Sequence, residues 1–413
     1  MNPIVYAIPV FFLLMAIEWV WSRAQRRPVY RLGDSINSIG LGAMSQLVGL
    51  YSKLLSFGIY VLVFQQFALF ELSTEAWWVW VLALLLYDFC YYWNHRLGHE
   101  VGVLWASHVV HHQSQDYNLG TALRQSSTGF LLGWIFYLPL AVLGVPPLVF
   151  AVVALIDLLY QYWIHTELVG KLGWFDRVFA SPSNHRVHHG VNDRYLDKNY
   201  GGILILWDRL FGTFEDERDD DPVVYGTRKP LRSHDPIWAN LEVYAALARD
   251  AWRTRNWLDK LRVWWKPPGW RPADLAAAEP AAPFVLAAQR KESPALSTAA
   301  SAYAALAFVL LIAAGTHCLA LAGRGGEHAL DYAGYAAWIV ATLWTLGRWL
   351  DARFEARWLH AACWLALPAA ALLHLGINPG ATAMWGLASG GALLAICAFL
   401  LAPAQPPQAM ALA

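Results

Sequence analysis

Residues 76–112 read AWWVWVLALLLYDFCYYWNHRLGHEVGVLWASHVVHH, an apolar run that leads into two clusters of histidine. A helix that crosses a lipid bilayer needs about 20 mostly apolar residues, and the first half of this stretch approaches that requirement. The clusters that follow are His95 to His99, with the spacing HxxxH, and His108 to His112, with the spacing HxxHH. The stretch therefore predicts a membrane helix with a histidine site at its end.

The composition of the whole chain is that of a polytopic membrane protein. Of its 413 residues, 57% are hydrophobic, 15% are charged and 23 are tryptophan, whereas about 25% of the residues in soluble domains are charged. Basic and acidic residues are equal at 30 each, so no excess of positive charge indicates nucleic-acid binding. The four cysteines are scattered without a CxxC pair, which argues against a disulfide framework and against a cysteine-based zinc site.

Nine apolar segments are candidates to cross the bilayer. They lie at about 4–21, within 41–70, and at 76–93, 130–145, 147–164, 302–322, 332–350, 358–375 and 381–401. Because lysine and arginine favour cytoplasmic loops, we expect the basic stretch from about 166 to 300 on the cytosolic side. The first segment lacks a basic n-region and carries Glu18, so we expect a retained helix and not a cleaved signal peptide. Lys53 interrupts the second segment, which predicts a broken or interfacial helix there.

The chain divides into three parts by composition. Residues 1–235 are predicted to form a membrane-embedded catalytic domain, and residues 236–300 to form interfacial helices followed by a Pro/Ala-rich linker. Residues 301–413 are predicted to form a bundle of four spans. The expected fold class is therefore all-α, a polytopic integral membrane helical bundle with a histidine-rich site for two metals at its cytosolic face.

Nine of the 14 histidines lie between residues 95 and 189. A third cluster, His185 to His189, repeats the HxxHH spacing, and His165 follows the fifth apolar segment. Spacings of three and four place side chains on one face of a helix, and neutral imidazole is the commonest metal ligand. Eight or nine ligands are too many for one zinc ion, which takes about four, but they suit two metals. A nitrogen-rich site with open positions favours non-haem iron and O₂, although zinc and copper also bind imidazole.

Longer stretches carry a resemblance to a known family. With the three histidine clusters they are 99–106, 115–125, 160–167, 185–190, 197–200 and 207–214. Over about residues 77–245 the chain resembles the fatty acid hydroxylase/sterol desaturase superfamily, and within it the monooxygenases that cleave ether lipids. The resemblance implies metal-binding and catalytic roles for His95, His99, His108, His111, His112, His185, His188 and His189, with His165 as a ninth metal ligand.

The same resemblance implies the cofactors and the reaction. Two Fe²⁺ ions would activate O₂, and a tetrahydropterin such as tetrahydrobiopterin would donate electrons. The substrate would be a lipid that arrives from the membrane. Hydroxylation of the carbon next to its ether oxygen would give a hemiacetal, which collapses to a fatty aldehyde and a glycerol derivative.

Polar residues inside the apolar segments are candidates to support the metal ligands. Asp88 shares a helix face with His95, and Asp157 and Gln161 precede His165 at helical steps of four. Gln161 stands where some hydroxylases of the superfamily carry a histidine, so we expect it to hold a water molecule or to orient His165.

Five further residues are candidates for the surroundings of the site. Glu100 and Glu167 closely follow histidines and are predicted to accept hydrogen bonds from ligand imidazoles. Asn184 is predicted to contact metal through water, and Tyr117 and Arg124 to bind a lipid headgroup or the pterin.

Three alternatives remain open at this point. A sterol, fatty-acid or carotenoid hydroxylase or desaturase with a redox-protein donor would share the histidine clusters, but is not expected to carry the stretches around Tyr117 and Tyr200. A metal transporter would place its site near the bilayer midplane between repeats, whereas these histidines are predicted at one surface. A zinc-stabilised scaffold would bind metal without consuming oxygen.

Overall fold

The computed structural model of the chain describes residues 3–323, 332–369 and 381–403. These residues form helices and turns, and β-pairing among them is confined to two isolated bridges, Phe179 with Leu204 and Gly190 with Tyr225. The expected all-α class is confirmed for this part of the chain.

The α-helices of the described residues follow one another along the chain. They are α1 (Pro3–Ala24), α2 (Leu32–Phe67), α3 (Trp77–Glu100), α4 (Gly102–His112), α5 (Leu119–Ala122), α6 (Leu138–Val142), α7 (Pro147–Trp163), α8 (Pro182–His188), α9 (Leu206–Phe211), α10 (Pro236–Arg253), α11 (Trp257–Trp265), α12 (Ala273–Ala278), α13 (Thr298–Ala322), α14 (Ala333–Leu350), α15 (Ala356–Leu365) and α16 (Ala381–Leu400). Single 3₁₀ turns lie at Gly129–Leu131, Gly133–Tyr137, Phe175–Arg177 and Leu286–Ala288.

Three described helices are long and apolar enough to cross a bilayer, which makes the chain an integral membrane protein by composition. They are Ile4–Ala24, Thr298–Ala322 and Ala383–Leu400. A fourth is α2 if its halves, Leu32–Ser52 and Leu55–Phe67, count as one span, since they meet at an angle of 43°. This bend falls beside Lys53, where the sequence predicted an interruption.

The other expected crossings differ from the prediction. Segment 130–145 is not one helix, because Gly133, Pro139 and Gly144 divide it into a 3₁₀ turn, the short α6 and a turn with φ of 88° at Gly144. Proline and glycine both interrupt regular helices. Segment 147–164 forms α7, whose 17 residues fall short of the usual span. Segments 76–93 and 332–350 lie in the continuous helices α3 and α14, which are less hydrophobic than the three spans named above. Segment 358–375 extends beyond the described residues.

A sharp reversal between α3 and α4 brings the first two histidine clusters face to face. Only the extended residue Val101 separates the two helices. The backbone N–H of Gly102 donates to the Lys266 carbonyl at 3.0 Å, and a Cβ on Gly102 would lie 3.1 Å from the Lys266 and Val263 carbonyl oxygens. Glycine at this position therefore lets the end of α11 pack against the start of α4.

The C-terminal helices pack directly on the first half of the chain. Ile36 and Leu47 of α2 share a buried core with residues of α13 and α14. Asp351 accepts hydrogen bonds from the backbone and the Nδ1 of His234, the latter at 2.7 Å, and Arg348 lies 3.4 Å from Asp235. Helices α13 to α16 are therefore fixed against the histidine-bearing part by both apolar and polar contacts.

The segment between these parts is also held in place. Lys291 Nζ donates to Asp116 at 2.9 Å, and Arg31 donates to the Glu292 carbonyl. In α11, the Lys260 ammonium donates to the carbonyls that end α10. Trp252 and Trp257 are 86% and 81% exposed, the pattern of aromatic residues in helices that lie at a membrane interface.

Candidate metal centre

The structure brings all nine predicted histidines into two adjacent groups. The first group is His95, His99, His108, His112 and His188, and the second is His111, His165, His185 and His189. Within each group the ligand nitrogens lie within 4.8 Å of one another. Four or five ligands per group is the number expected for two metal ions.

Four elements supply these histidines. The end of α3 carries His95 and His99, α4 carries the second cluster, α8 and the residue after it carry the third, and His165 follows α7. Consecutive residues of a helix point about 100° apart. Adjacent histidines therefore belong to different groups. His111 is in the second group and His112 in the first, and His189 is in the second and His188 in the first.

The Nε2 atoms converge inside each group. In the first group, His108 Nε2 lies 3.1 Å from the Nε2 atoms of both His95 and His112. In the second group, His165 Nε2 lies 3.1 Å from His111 Nε2 and 3.0 Å from His185 Nε2. Nitrogens at about 2.0–2.1 Å from one ion would be separated by about 3 Å when they are adjacent ligands.

Backbone carbonyls fix the other ring nitrogen of four histidines. His95 Nδ1 donates to the Tyr200 carbonyl at 2.8 Å, and His188 Nδ1 to the Lys198 carbonyl at 3.0 Å. His111 Nδ1 and His165 Nδ1 likewise donate to the carbonyls of Arg124 and Gln161, at 2.9 and 2.7 Å. A proton held on Nδ1 leaves the Nε2 lone pair free to bind a metal.

The Nε2 lone pairs of each group point toward one another, an arrangement that fits a bound cation. In neutral rings protonated at Nδ1, two Nε2 atoms 3.1 Å apart repel each other because neither has a proton to donate. Among the described residues, His99 Nε2 and His189 Nε2 are buried without a hydrogen-bond partner, an arrangement that costs free energy unless a ligand supplies the contact. A metal ion in each group would satisfy all of these nitrogens.

Burial also keeps the imidazoles neutral. It lowers the pKa of His111 to about 4, from an ordinary value of 6.5. Burial, reinforced by the neighbouring imidazoles, lowers the pKa well below this ordinary value at His108, His112, His185, His188 and His189. Neutral rings are the form that binds metal.

One segment that orients the ligands was not predicted as part of the site. In Asp197-Lys198-Asn199-Tyr200, the carbonyls of Lys198 and Tyr200 hold two imidazoles, and Asp197 Oδ1 lies 3.6 Å from His99 Nδ1. Asp197 and Asn199 adopt left-handed backbone angles, with φ of 56° and 57°. Asp and Asn tolerate this region better than other residues with a Cβ, and that is the signal that the sequence carried for this turn.

The three polar residues inside the apolar segments lie behind the ligands. Asp88 accepts hydrogen bonds from the backbone N–H groups of Ile203 and Leu204 and from the Trp207 indole, at 2.7–3.0 Å. It therefore fixes the segment that follows Tyr200.

Gln161 orients His165 through its backbone carbonyl and not through its side chain. That side chain accepts from the Tyr91 hydroxyl and donates to Asp157, both at 2.6 Å. Asp157 and Gln161 therefore form a buried polar chain with Tyr91, and water held by Gln161 stays a prediction.

The expected contacts of Glu100 and Glu167 are corrected by the structure. Glu100 pairs with Arg96 at 2.9 Å, and Glu167 lies 3.9 Å from Arg27, so neither carboxylate is engaged by an imidazole in the described structure. A partly exposed carboxylate gains more from a nearby guanidinium than from a neutral ring. Asn184 donates to the carbonyls of Asp176 and Phe179 and so fixes the loop before α8. Its contact with metal through water stays a prediction.

Tyr117 and Arg124 are buried, which differs from the expected contact with a headgroup. The Tyr117 hydroxyl donates to the Ile164 carbonyl at 2.9 Å, and its ring packs against His165. Arg124 is 2% exposed and donates to the Val110 carbonyl at 2.6 Å. Both side chains have their polar atoms occupied by the protein and hold the second histidine group in place.

A cavity of about 350 Å³ opens beside the histidines. It is lined by His95 and His108 of the first group and by His111 and His165 of the second. Its remaining walls include apolar residues of α1, α2, α7 and α13. A single apolar molecule in this cavity would therefore face both groups at once.

Comparison with known proteins gives consistent matches. A fatty acid hydroxylase family model matches residues 80–213. Alkylglycerol monooxygenase of Homo sapiens is 43% identical over 267 residues, which are 64% of this chain and 59% of the human protein. The relative of the same name from Danio rerio is 43% identical over 310 residues, which cover 74% and 68%. That from Caenorhabditis elegans is 32% identical over 357 residues, which cover 81% and 69%. No solved structure matches the chain.

Proposed function

This chain belongs to the alkylglycerol monooxygenase family, and from that premise we propose that it is a membrane di-iron monooxygenase acting on alkylglycerols. It would hydroxylate the carbon next to the ether oxygen and so release a fatty aldehyde and a glycerol derivative. The observation that carries the proposal is the position of the two histidine groups, which face one apolar cavity together.

The donor set fits iron. Each group offers neutral imidazole nitrogens and no thiolate, a set that suits non-haem iron with positions left for oxygen. Two bound Fe²⁺ ions would supply the O₂ activation that breaks a C–H bond, a reaction beyond acid–base side chains. We assign the metal-binding role to all nine histidines, and the catalytic role to the eight of the three clusters.

The residues of the chain would orient the lipid and the ligands. The apolar wall of α1, α2 and α13 would hold the alkyl chain, while the carbonyls of Lys198, Tyr200, Arg124 and Gln161 keep the imidazoles in one tautomer. Exclusion of water by the buried site would protect the reaction from side products. Residues 1–235 would be the catalytic domain, with the site at the cytosolic face and tetrahydrobiopterin as the electron donor.

The buried positions of Tyr117 and Arg124 bear on the donor and headgroup sites. Because their polar atoms are occupied, we assign neither residue a direct contact with lipid or pterin. A redox-protein donor, as in sterol or fatty-acid hydroxylases, is the alternative to the pterin.

The test uses purified, iron-loaded protein with a 1-O-alkylglycerol, O₂ and tetrahydrobiopterin, and follows fatty aldehyde release. His189→Ala removes one ligand of the four-histidine group and should abolish the product, whereas His317→Ala, which changes an exposed histidine outside both groups, should keep it. The proposal is supported if the unmodified protein and His317→Ala form the product and His189→Ala does not. A sample that holds two irons and releases no aldehyde contradicts the substrate assignment.

A further inference from the structure

The cavity beside the histidines is closed on one side by the C-terminal part of the chain. Ile312, Gly315, Thr316 and Leu319, all on α13, contribute to its lining. We propose that α13 forms a wall of the substrate tunnel and that Gly315 sets the length of alkyl chain that the tunnel accepts. This inference rests on the proposed function and assigns a role to the C-terminal helices.

The cavity lining combines polar and apolar side chains. Asn94 and Ser107, each next to a lining histidine in sequence, and Gln125 can hydrogen-bond a glycerol. Apolar residues of α1 and α13, such as Ile8 and Leu319, line the same cavity. An alkylglycerol has the same combination, with a polar headgroup at one end and an alkyl chain at the other.

The position of α1 gives the direction of the tunnel. Near the end of this helix, Glu18 accepts hydrogen bonds from the backbone of Leu119 and from Thr166, which follows His165. The lining residue Ile4 lies 14 residues earlier on the same helix. At a rise of 1.5 Å per residue, Ile4 lies about 21 Å from Glu18 along the axis of α1. The cavity therefore runs from the histidines along α1, into the region that α1 and α13 would occupy within the bilayer.

Gly315 is the point on α13 where a side chain would enter this space. It is buried, and apart from its chain neighbours and the backbone of its own helix, no heavy atom lies within 4 Å of the place where its Cβ would stand. Gly42, which also lines the cavity, differs because a Cβ there would lie 2.2 Å from the Leu123 carbonyl oxygen. A buried glycine with open space beside it marks an unfilled volume, and a larger side chain at 315 would fill it without displacing the backbone.

Chain-length selection follows from this arrangement. The ether-adjacent carbon must lie at the histidines for reaction, so the alkyl chain extends from there toward Gly315. A chain long enough to reach a side chain at position 315 must bend or leave methylenes in a less favourable environment. Each methylene that loses its burial weakens binding by about fourfold.

The experiment measures kcat/KM for a series of 1-O-alkylglycerols of graded chain length, with iron-loaded protein. We expect Gly315→Leu to keep the activity on short chains and to lose about tenfold or more on long chains, since several methylenes are affected. Gly390→Leu is the matched control, because Gly390 is an exposed glycine of α16 with open space around it. It should keep the length profile of the unmodified protein.

A binding measurement separates this inference from the proposed function. An alkylglycerol with a photoreactive diazirine at the end of its alkyl chain is bound to the unmodified protein, irradiated, and the labelled residues are mapped. Labels on 312–319 support the tunnel wall even if no aldehyde forms, an outcome that contradicts only the proposed reaction. Labels confined to other helices, or a folded, metal-loaded Gly315→Leu with an unchanged length profile, overturn the inference.

Discussion

Both ring nitrogens of His95 contact other groups of the candidate metal centre. His95 Nδ1 donates to the Tyr200 carbonyl at 2.8 Å, while its Nε2 lies 3.1 Å from His108 Nε2. Because the carbonyl determines the tautomer, the metal-binding nitrogen is decided by a main-chain atom more than 100 residues away. The spacing of the histidines could predict their clustering and their number per metal, since helix geometry relates spacing to direction.

The two histidine groups differ in size, so the loss of one histidine should affect metal binding more in the smaller group. His185→Ala leaves three ligands in the second group, whereas His108→Ala leaves four in the first. We expect His185→Ala to reduce the metal content from about two ions per chain to about one. His108→Ala should retain more metal, because four ligands suffice for a protein site. Elemental analysis of the purified variants measures this, with His317→Ala as the control, and equal losses in both variants would contradict the assignment.

The turn at Asn199 allows its backbone and its side chain to be tested separately. Asn199 has φ of 57°, donates to the carbonyls of Asn184 and Glu215, and accepts from the Glu215 N–H. Asn199→Gly removes these bonds but tolerates the angle, whereas Asn199→Ala also places a Cβ in a left-handed conformation. We expect the free energy of unfolding to be lower for alanine than for glycine by about 1–2 kcal/mol.

Both Asn199 variants should also bind metal more weakly, by about 10–100-fold, because the adjacent carbonyls orient two ligands. Thermal unfolding and competition with a chelator measure the two effects. An alanine variant as stable as the glycine variant would show that the angle carries no strain.

Main-chain partners explain what the sequence could not predict at the site. Glu100 and Glu167 were expected to support imidazoles because they are close in sequence, yet carbonyls of Lys198 and Tyr200 do this instead. Every residue has a carbonyl, so no residue type marks such a role. The sequence signal for this turn was the residue types Asp197 and Asn199, because Asp and Asn tolerate the left-handed angles found there.

At the level of elements, α3 is tied to the loop that carries Tyr200. Asp88 accepts three hydrogen bonds from residues 203–207, and Gly202 lies so close that a Cβ there would be 3.0 Å from Asp88 Oδ1. This contact lets a residue in the apolar part of α3 position a carbonyl on the proposed metal ligand His95, about two helical turns further along the same face.

Removal of this carboxylate should destabilise the loop. Asp88→Ala leaves buried donors without a partner, each costing about 1–3 kcal/mol, so we expect a clearly lower Tm and a loss of metal. Asp88→Asn keeps one acceptor oxygen and should lie between the alanine variant and the unmodified protein. Asp193→Ala, which removes an exposed partner of Arg228, should change the Tm little. Metal retained in full by Asp88→Ala would contradict the link to Tyr200.

Helical elements were easier to predict than membrane crossings. Hydropathy identified α1, α13 and α16 because most of their residues are apolar. Segment 130–145 has a similar overall composition, but Pro139 in the first turn of α6 and Gly144 after its end keep that helix short. Apolar content measures the preference for lipid or for a protein core, whereas the length of a helix depends on local backbone constraints.

In the whole molecule, contacts between residues far apart in sequence join the C-terminal helices to the histidine-bearing part. Asp351 and His234 are 117 residues apart in sequence, and the residues of the core shared by α2 and α13 are further apart still. Composition predicted a separate bundle after a linker because these partners cannot be paired from one sequence. The extent of the domains stays a prediction, but α13 borders the same cavity as the histidines.

The stability of the metal-free protein should depend on pH through its histidines. Burial lowers the pKa of His111 in the folded state to about 4 from 6.5, so the unfolded chain takes up protons first as the pH falls. Stability is therefore greatest above about pH 6.5 and decreases as the pH falls toward 4. The Tm of chelator-treated protein between pH 7.5 and 5 measures this. A Tm that is constant or rises on acidification would contradict neutral buried imidazoles.

The alternation of neighbouring histidines between the two groups has a consequence for how the protein acquires its metals. His111 and His112 on α4, and His188 and His189 at the end of α8, are adjacent residues that serve different groups. An ion that enters one group immobilises the helix that carries ligands for the other, and so removes part of the entropic cost of the second binding event. Loading should then be cooperative, with half-filled molecules scarce, so that a cell short of iron would hold a mixture of empty and complete enzymes.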